Sequence, residues 1–281
     1  MKEAMFYEKQ DDYCQCNLCP HYCKLHNGQT GRCNVRQVKD NKLYSLNYGK
    51  LTAVQIDPIE KKPIRGWMKG SKVLSIGSYG CNLHCSFCQN YEISLEKPKT
   101  IEVLPGEIID KAIYYKVPSI AYTYNEPTVF YEMMFDTAKL ALVNGINNVI
   151  VTNGFINDKP LLKIIDYIDA MNIDIKTYSD KIYKNLGANT VRNILNTIDI
   201  VSKRCHVEVT ILIVPGISDS INDIELLLEK LAKINDNIIL HISRYFPRYQ
   251  HYEPATDIGV MMEIQRKALK HFKHVYLGNV R

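Results

Sequence analysis

Three cysteines with the spacing Cys-x-x-x-Cys-x-x-Cys, namely Cys81, Cys85 and Cys88, directly follow a short apolar run. A four-iron cluster normally takes four cysteine ligands. Three local thiolates would therefore leave one iron open to an exchangeable ligand, which chemistry at a cluster requires. A closed zinc site would need a fourth N or S ligand, such as His84 or Cys205, and usually contains a Cys-x-x-Cys pair rather than this triplet. We interpret the triplet as catalytic cysteines that bind a [4Fe-4S] cluster.

A second group of thiols lies near the N terminus. Cys16, Cys19, Cys23 and Cys33 offer four thiolates within a polar segment. Four thiolates suit either a structural zinc ion or an auxiliary iron–sulfur cluster, and the sequence leaves both alternatives open. Cys14 is a spare thiol that could serve as an alternative ligand.

Short apolar runs alternate with helical patterns from residue 71 onward. The predicted strands are Lys72–Gly77, Ser119–Tyr124, Asn148–Thr152, Ala170–Lys176, His206–Val214, Ile238–Ser243 and His274–Leu277. The predicted helices lie near Pro105–Lys116, Thr128–Asn144, Lys159–Asp169, Thr190–Lys203, Ser220–Lys233 and Asp257–Lys273. This alternation indicates an α/β fold with a parallel sheet and right-handed crossovers. About six strand–helix units predict a partial (β/α)6 barrel with its site at the C-terminal ends of the strands.

Residues with chemical potential fall at those strand ends. Cys81 follows the first predicted strand, Glu126 the second and Asn153 the third, and Lys176 ends the fourth. The C-terminal ends of parallel strands meet at one edge of a sheet, so we expect these side chains to share one site.

The chain divides into three predicted parts. Residues 1–41 form a cysteine-rich metal-binding segment, which has too little apolar content to fold without a staple. Residues 42–70 alternate in polarity and predict a β-hairpin that leads into the main domain. Residues 71–281 form the partial barrel.

Composition limits the classes of function. The chain has 281 residues, a formal net charge of +5 and nine cysteines. The charge is too diffuse to indicate a nucleic-acid partner, and no run of about 18 apolar residues predicts a membrane span. The first residues lack the apolar core of a signal peptide. Clustered cysteines favour metal binding in a reducing compartment, so we expect a soluble, cytoplasmic protein.

The motifs together resemble a known family. With Phe87 before its last cysteine, the triplet resembles the signature of the radical S-adenosylmethionine (radical SAM) superfamily. The order of elements is similar to that of its pyruvate formate-lyase activating enzyme branch. Four further segments, residues 16–33, 57–63, 124–128 and 241–247, resemble the AmmeMemoRadiSam system radical SAM proteins.

This resemblance implies a reaction and its partners. In the family, S-adenosylmethionine (SAM) binds the open iron, and an electron from the cluster cleaves it to methionine and a 5′-deoxyadenosyl radical. That radical would abstract hydrogen from a small molecule or a protein, and a donor such as flavodoxin or ferredoxin would supply the electron. One alternative is an activating enzyme for a glycyl-radical enzyme. A non-catalytic iron–sulfur electron carrier is the alternative from another class.

The resemblance also implies contacts to SAM near the triplet. Glu126 stands where relatives place a carboxylate near the SAM ammonium, although Asn-Glu-Pro could equally cap a helix. Lys176, in Asp174-Ile175-Lys176, corresponds to a lysine that meets the SAM carboxylate; alternatively it is a solvated lysine. Phe87 would cover the adenine or would be a core residue. The remaining residues expected to bind the cofactor on this basis are Asn90, Asn125, Asn153 and Asp174.

Two further polar residues lie on later strands. His241 resembles a histidine near the SAM ribose, with a hydrogen-bonded core histidine as the alternative. Glu208 would lie inside the barrel, where an unpaired carboxylate is costly. We expect it either to contact SAM or substrate, or to pair with Lys176 or Arg244.

Overall fold

The computed structural model describes residues 1–280, and its strands form four sheets. In chain order the strands are β1 (Lys2–Glu3), β2 (Tyr7–Lys9), β3 (Cys14–Cys16), β4 (Lys24–Leu25), β5 (Arg36–Lys39), β6 (Lys42–Ser45), β7 (Lys50–Leu51), β8 (Ala53–Pro58), β9 (Lys72–Gly77), β10 (Ile101–Glu102), β11 (Ser119–Tyr122), β12 (Asn147–Thr152), β13 (Ala170–Ile175), β14 (His206–Ile213), β15 (Ile239–Arg244) and β16 (Val275–Gly278).

Along the chain, most helices connect one strand of the largest sheet to the next. They are α1 (Tyr91–Ser94), α2 (Pro105–Tyr114), α3 (Tyr131–Val143), α4 (Asp158–Ile164), α5 (Asp180–Asn185), α6 (Val191–Val201), α7 (Ile221–Ile234) and α8 (Ile258–Ala268). Short 3-10 helices at Ile59–Lys61, Pro127–Phe130 and Ile165–Tyr167 join them. Side chains of Thr190, Ser220 and Asp257 accept hydrogen bonds from the first turns of α6, α7 and α8, and so cap these helices.

The largest sheet is an open, mostly parallel sheet of eight strands in the order β16-β15-β14-β13-β12-β11-β9-β8. Strands β9 to β16 in this sheet pair in parallel, and β8 adds an antiparallel edge. The parallel strands are buried on both faces. In β11, for example, all four residues are buried. The α/β fold and the partial barrel of six strand–helix units, completed by β16, are confirmed.

The segment before the barrel is organised differently from the sequence prediction. Residues 42–70 do not form a self-contained β-hairpin: β6 pairs with β5 and β1, β7 with β10, and β8 with β9. In β6 the alternating polarity matches an alternation of buried and more exposed residues, but the partners of these strands lie elsewhere in the chain. The division of the chain at residues 41 and 70 remains a prediction.

The cysteine-rich segment packs directly against the loop that follows β9. Gly80 in this loop has φ +88°, and a Cβ there would lie 2.6 Å from the carbonyl oxygen of Cys33 and 2.7 Å from Val35. His21 is hydrogen-bonded through Nε2 to the carbonyl of Asn82 at 2.8 Å. The N-terminal segment therefore buttresses the loop that carries the cysteine triplet.

Candidate active site at the C-terminal ends of the strands

The three cysteines of the triplet line one cavity at the C-terminal ends of the parallel strands, here called the central cavity. They lie on the loop between β9 and α1. The loop backbone is held by hydrogen bonds from Gly80 N to the carbonyl of Ile93 (3.0 Å) and from Cys88 N to the carbonyl of Cys85 (3.1 Å). Ten of the sequence-predicted site residues line this cavity: Cys81, Cys85, Phe87, Cys88, Asn90, Asn125, Glu126, Asn153, Asp174 and Lys176.

The environment of the three thiols suits a cluster. Burial raises the pKa of Cys85 to about 12 and also raises those of Cys81 and Cys88, so the thiolate forms need a cationic partner. Among residues 1–280, no group of three or more His, Cys, Asp or Glu side chains is placed so that it could hold a single metal ion. The three thiols border a shared cavity, where each could bind a separate iron of a cubane.

Asn125 fixes the geometry of the cysteine loop. Its Oδ1 accepts a hydrogen bond from Ser78 N at 2.9 Å, and its Nδ2 donates to the carbonyl of Gly80 at 2.9 Å. The side chain is buried. Since both polar ends of Asn125 bond the loop backbone, its side chain acts by positioning the loop.

Glu126 caps the following 3-10 helix and also lines the central cavity. Its Oε1 accepts from Thr128 N (2.9 Å), which caps the following 3-10 helix, and from Thr152 Oγ1 (2.6 Å). Its Oε2 accepts from Asn153 N at 2.8 Å. Burial raises the pKa of Glu126, although these hydrogen bonds oppose the change. A carboxylate held this firmly at the cavity wall can meet a cationic group without reorganising.

Lys176 provides a positive charge beside the cysteines. Its Nζ lies 3.3 Å from Asp174 Oδ2, and the Lys176 backbone N–H donates to the hydroxyl of Tyr183 at 3.0 Å. Burial lowers its pKa, but Asp174 and the nearby Cys85 and Cys88 outweigh burial and raise it overall. Lys176 is therefore cationic at neutral pH.

Asn153 and Asn90 join the loops around the cavity. Asn153 Nδ2 donates to Asn82 Oδ1 at 2.9 Å and approaches Cys81 Sγ at 3.9 Å. Asn90 Nδ2 donates to the carbonyl of Tyr124 at 2.8 Å. Phe87 is 2% exposed and lines the cavity, so it is both a core residue and a wall of the site.

Glu208 and His241 do not line the central cavity, so their contacts to the cofactor remain predictions. The backbone N–H groups of Arg65 and Gly66 each donate to Glu208 Oε1 at 2.7 Å, and His241 contacts Oε2. The predicted salt bridge of Glu208 to Lys176 or Arg244 is wrong, because His206 and His241 are its partners.

The position of these two residues along their strands explains the difference. Glu208 and His241 are each the third residue of their strands, β14 and β15, and so lie near the N-terminal ends of the strands. Thr210 and Ser243, two residues further along each strand, do line the cavity. Side chains at i and i+2 share a face of the strand, but only the later one reaches the C-terminal end.

A buried ionic network at the rim was not assigned a role from the sequence. Lys62 is 3% exposed, its Nζ lies 2.8 Å from Asp57 Oδ2, and it sits over the ring of Tyr124 at 4.4 Å. Tyr124 donates its hydroxyl hydrogen to the same carboxylate oxygen at 2.6 Å, and Lys61 binds Oδ1 at 2.8 Å. Burial lowers the pKa of Lys62. In the sequence, the feature that could have predicted this network is Asp57, four residues before the lysine pair Lys61-Lys62.

Comparison with known proteins identifies the class of this chain. The profile of the Radical SAM superfamily matches residues 75–231, more than half of the chain, so the chain belongs to this superfamily. The matched region contains the cysteine triplet, Glu126 and Lys176. The family resemblance seen in the motifs is thereby confirmed, and with it that the protein is an enzyme.

Two curated proteins and one solved structure show what the chain is similar to. An uncharacterized protein of Methanocaldococcus jannaschii is 41% identical over the whole of this chain and 86% of its own length. A second protein of that organism, named "Putative glycyl-radical enzyme activating enzyme MJ1227", is 27% identical over 75% of this chain and 88% of its own. A domain of pyruvate-formate lyase-activating enzyme from Bacteroides vulgatus shares the fold, with a TM-score of 0.50 and 17% identity over 57% of this chain and 98% of its own.

Proposed function

We propose that this protein cleaves SAM reductively on a [4Fe-4S] cluster bound by Cys81, Cys85 and Cys88. When bound, the cluster supplies the electron that splits SAM into methionine and a 5′-deoxyadenosyl radical. The observation that carries the proposal is the shared cavity: three thiols without a fourth cysteine beside them, a buried carboxylate and a cationic lysine face the same space. This set provides cluster ligands and two charged groups of opposite sign.

The charged groups fit the polar end of SAM. Lys176 would bind the carboxylate through a charge-assisted hydrogen bond. Glu126, already oriented by three donors, would accept from the ammonium group. Asn153 and Asp174 would complete the polar wall, and Phe87 would exclude water next to the adenine. Asn90 and Asn125 would contribute by holding the loops that carry these groups.

The central test is formation of 5′-deoxyadenosine. Anaerobically reconstituted protein, incubated with dithionite and SAM, should release it, and Cys85→Ala should abolish release. Cys205→Ala is the matched control, because Cys205 follows helix α6 and does not line the cavity. A fully loaded protein that forms no 5′-deoxyadenosine would instead be an electron carrier.

For the substrate, we propose a small molecule or a protein from which the radical abstracts hydrogen. The relative named as an activating enzyme favours one specific version, in which the substrate is a glycine of a partner protein. The triplet, however, continues as Cys88-Gln89-Asn90-Tyr91 rather than with the Cys-x-Asn-Pro common in activating enzymes. Anaerobic incubation with candidate glycyl-radical proteins, followed by electron paramagnetic resonance (EPR), separates the two versions through the glycyl doublet.

The electron would come from a flavodoxin or a ferredoxin. Replacing dithionite by each reduced donor and measuring 5′-deoxyadenosine tests this directly.

We also propose a cytoplasmic location, which would keep the nine cysteines reduced. No helix among residues 1–280 has the length and apolar character to cross a membrane. We also propose a metal centre at the four N-terminal cysteines, whose nature is derived below.

A further inference from the structure

The four N-terminal cysteines lie around a second, narrow and largely enclosed cavity. Cys16, Cys19, Cys23 and Cys33 all line it, together with the side chain of Arg36. Their backbone is anchored: Cys16 N donates to the carbonyl of Cys23 at 2.9 Å, and Tyr22 N donates to that of Cys19 at 3.2 Å. Burial raises the pKa of Cys16 to about 11 and also raises those of Cys19 and Cys33.

The fifth thiol of this segment is excluded from the group. Cys14 does not line the cavity, and its Sγ donates to the carbonyl of Asn41 at 3.6 Å. The structure therefore selects four cysteines out of five. Four is the number that either a zinc ion or a cubane cluster requires.

Zinc and a cubane cluster differ in the space that they need between the thiolates. Four thiolates around zinc at 2.3 Å stand only about 3.8 Å apart, whereas a cubane places four irons and four sulfides between them. Among residues 1–280 the side chains form no ready-made site for a single metal ion, and the four N-terminal cysteines instead border an enclosed cavity. The catalytic triplet likewise borders a cavity, and membership of the superfamily implies a cluster there.

Arg36 supplies an independent sign of a ligand. It is 1% exposed, and its Nη2 binds both carboxylate oxygens of Glu132 at 2.8 Å. Its Nε is buried and has no hydrogen-bond partner in the protein. A buried N–H without a partner lowers the stability of the fold by about 1–3 kcal/mol. Because Arg36 lines this cavity, we expect a bound group to supply the missing hydrogen-bond acceptor. Sulfide or thiolate of a cluster would provide one.

We propose that Cys16, Cys19, Cys23 and Cys33 bind a second [4Fe-4S] cluster, with Arg36 Nε–H donating a hydrogen bond to it. Each thiol loses its proton on ligation. The site is closed, because all four corners have protein ligands, so it would not bind SAM. The inference is independent of SAM cleavage at the central cavity.

Metal content tests the inference. Anaerobically purified full-length protein should contain about eight irons and eight sulfides without zinc. The triple variant with Cys81, Cys85 and Cys88 changed to Ala should keep about four irons and show a cluster EPR signal after dithionite. The double variant Cys16→Ala/Cys19→Ala should also keep about four irons, and the control Cys14→Ala should keep about eight.

Other outcomes are equally clear. About four irons with one zinc in the unmodified protein, or a triple variant that is folded by circular dichroism but free of iron, would overturn the second cluster. Neither result would affect SAM cleavage at the triplet. If the triple variant does not fold, the iron-to-zinc ratio of the unmodified protein still decides the matter.

Arg36→Lys tests the hydrogen bond separately. Lysine keeps the charge opposite Glu132 but lacks the Nε–H, so the midpoint potential of the N-terminal cluster should become more negative while its iron content stays the same. The potential is measured by EPR-monitored redox titration in the background of the triple variant. An unchanged potential would refute the hydrogen bond from Arg36.

Discussion

Glu208→Gln should weaken the fold without weakening the binding of SAM. Glu208 is fully buried at the base of the sheet, where it accepts from two backbone N–H groups and contacts two histidines. Burial alone would raise its pKa, but these partners lower it from 4.5 to about 2. At about 1.4 kcal/mol per pKa unit, the charged form contributes about 3 kcal/mol to stability.

Glutamine removes the charge and replaces one acceptor oxygen by an NH2 donor. We therefore expect the free energy of unfolding at pH 7 to fall by about 3 kcal/mol, which corresponds to a urea midpoint lower by roughly 1 M. Urea unfolding followed by circular dichroism measures this under anaerobic conditions. Asp166→Asn is the matched control, because Asp166 forms an exposed ion pair with Arg204 and should change stability by less than about 0.5 kcal/mol.

The pH dependence gives a second measurement of the same effect. Because the folded pKa of Glu208 is depressed, its contribution is complete above about pH 4.5 and is lost as the pH falls through about 2. The stability difference between the unmodified protein and Glu208→Gln should shrink over that window. An unchanged unfolding midpoint together with a raised KM for SAM would refute the structural placement of Glu208 and restore its role as a cofactor contact.

Three further substitutions test the loops around the central cavity. Asn125→Ala removes both hydrogen bonds to the cysteine loop and should lower iron content and SAM cleavage, whereas the exposed Asn144→Ala should change neither; equal iron loading would contradict the positioning role. Gly80→Ala forces a Cβ into Cys33 at positive φ and should cost over 1 kcal/mol in urea unfolding; wild-type stability would contradict it. Lys62→Met removes the buried cation beside Asp57, while Lys61 and Tyr124 still contact the carboxylate, so it should cost about 1–3 kcal/mol by the same assay, more than Lys61→Met, whose lysine is exposed; equal losses would contradict it.

The sequence by itself predicted the cysteine triplet and the main architecture. The triplet is a local pattern, so it can be recognised without knowing where distant parts of the chain lie. The alternation of apolar runs and helical patterns predicted the parallel sheet, and the rule that parallel strands end together placed Glu126 and Lys176 at one edge. Both do line the central cavity.

Only the tertiary structure decided which buried polar groups line the central cavity. Glu208 and His241 have strand positions that the sequence could not assign to one end of the sheet, because a two-residue shift preserves the face. Arg36 meets Glu132 across 96 residues, and Asp57 reaches Tyr124 across 67 residues. No local pattern encodes such pairs. They form only when the folded sheet brings distant segments together and burial makes each unpaired charge costly.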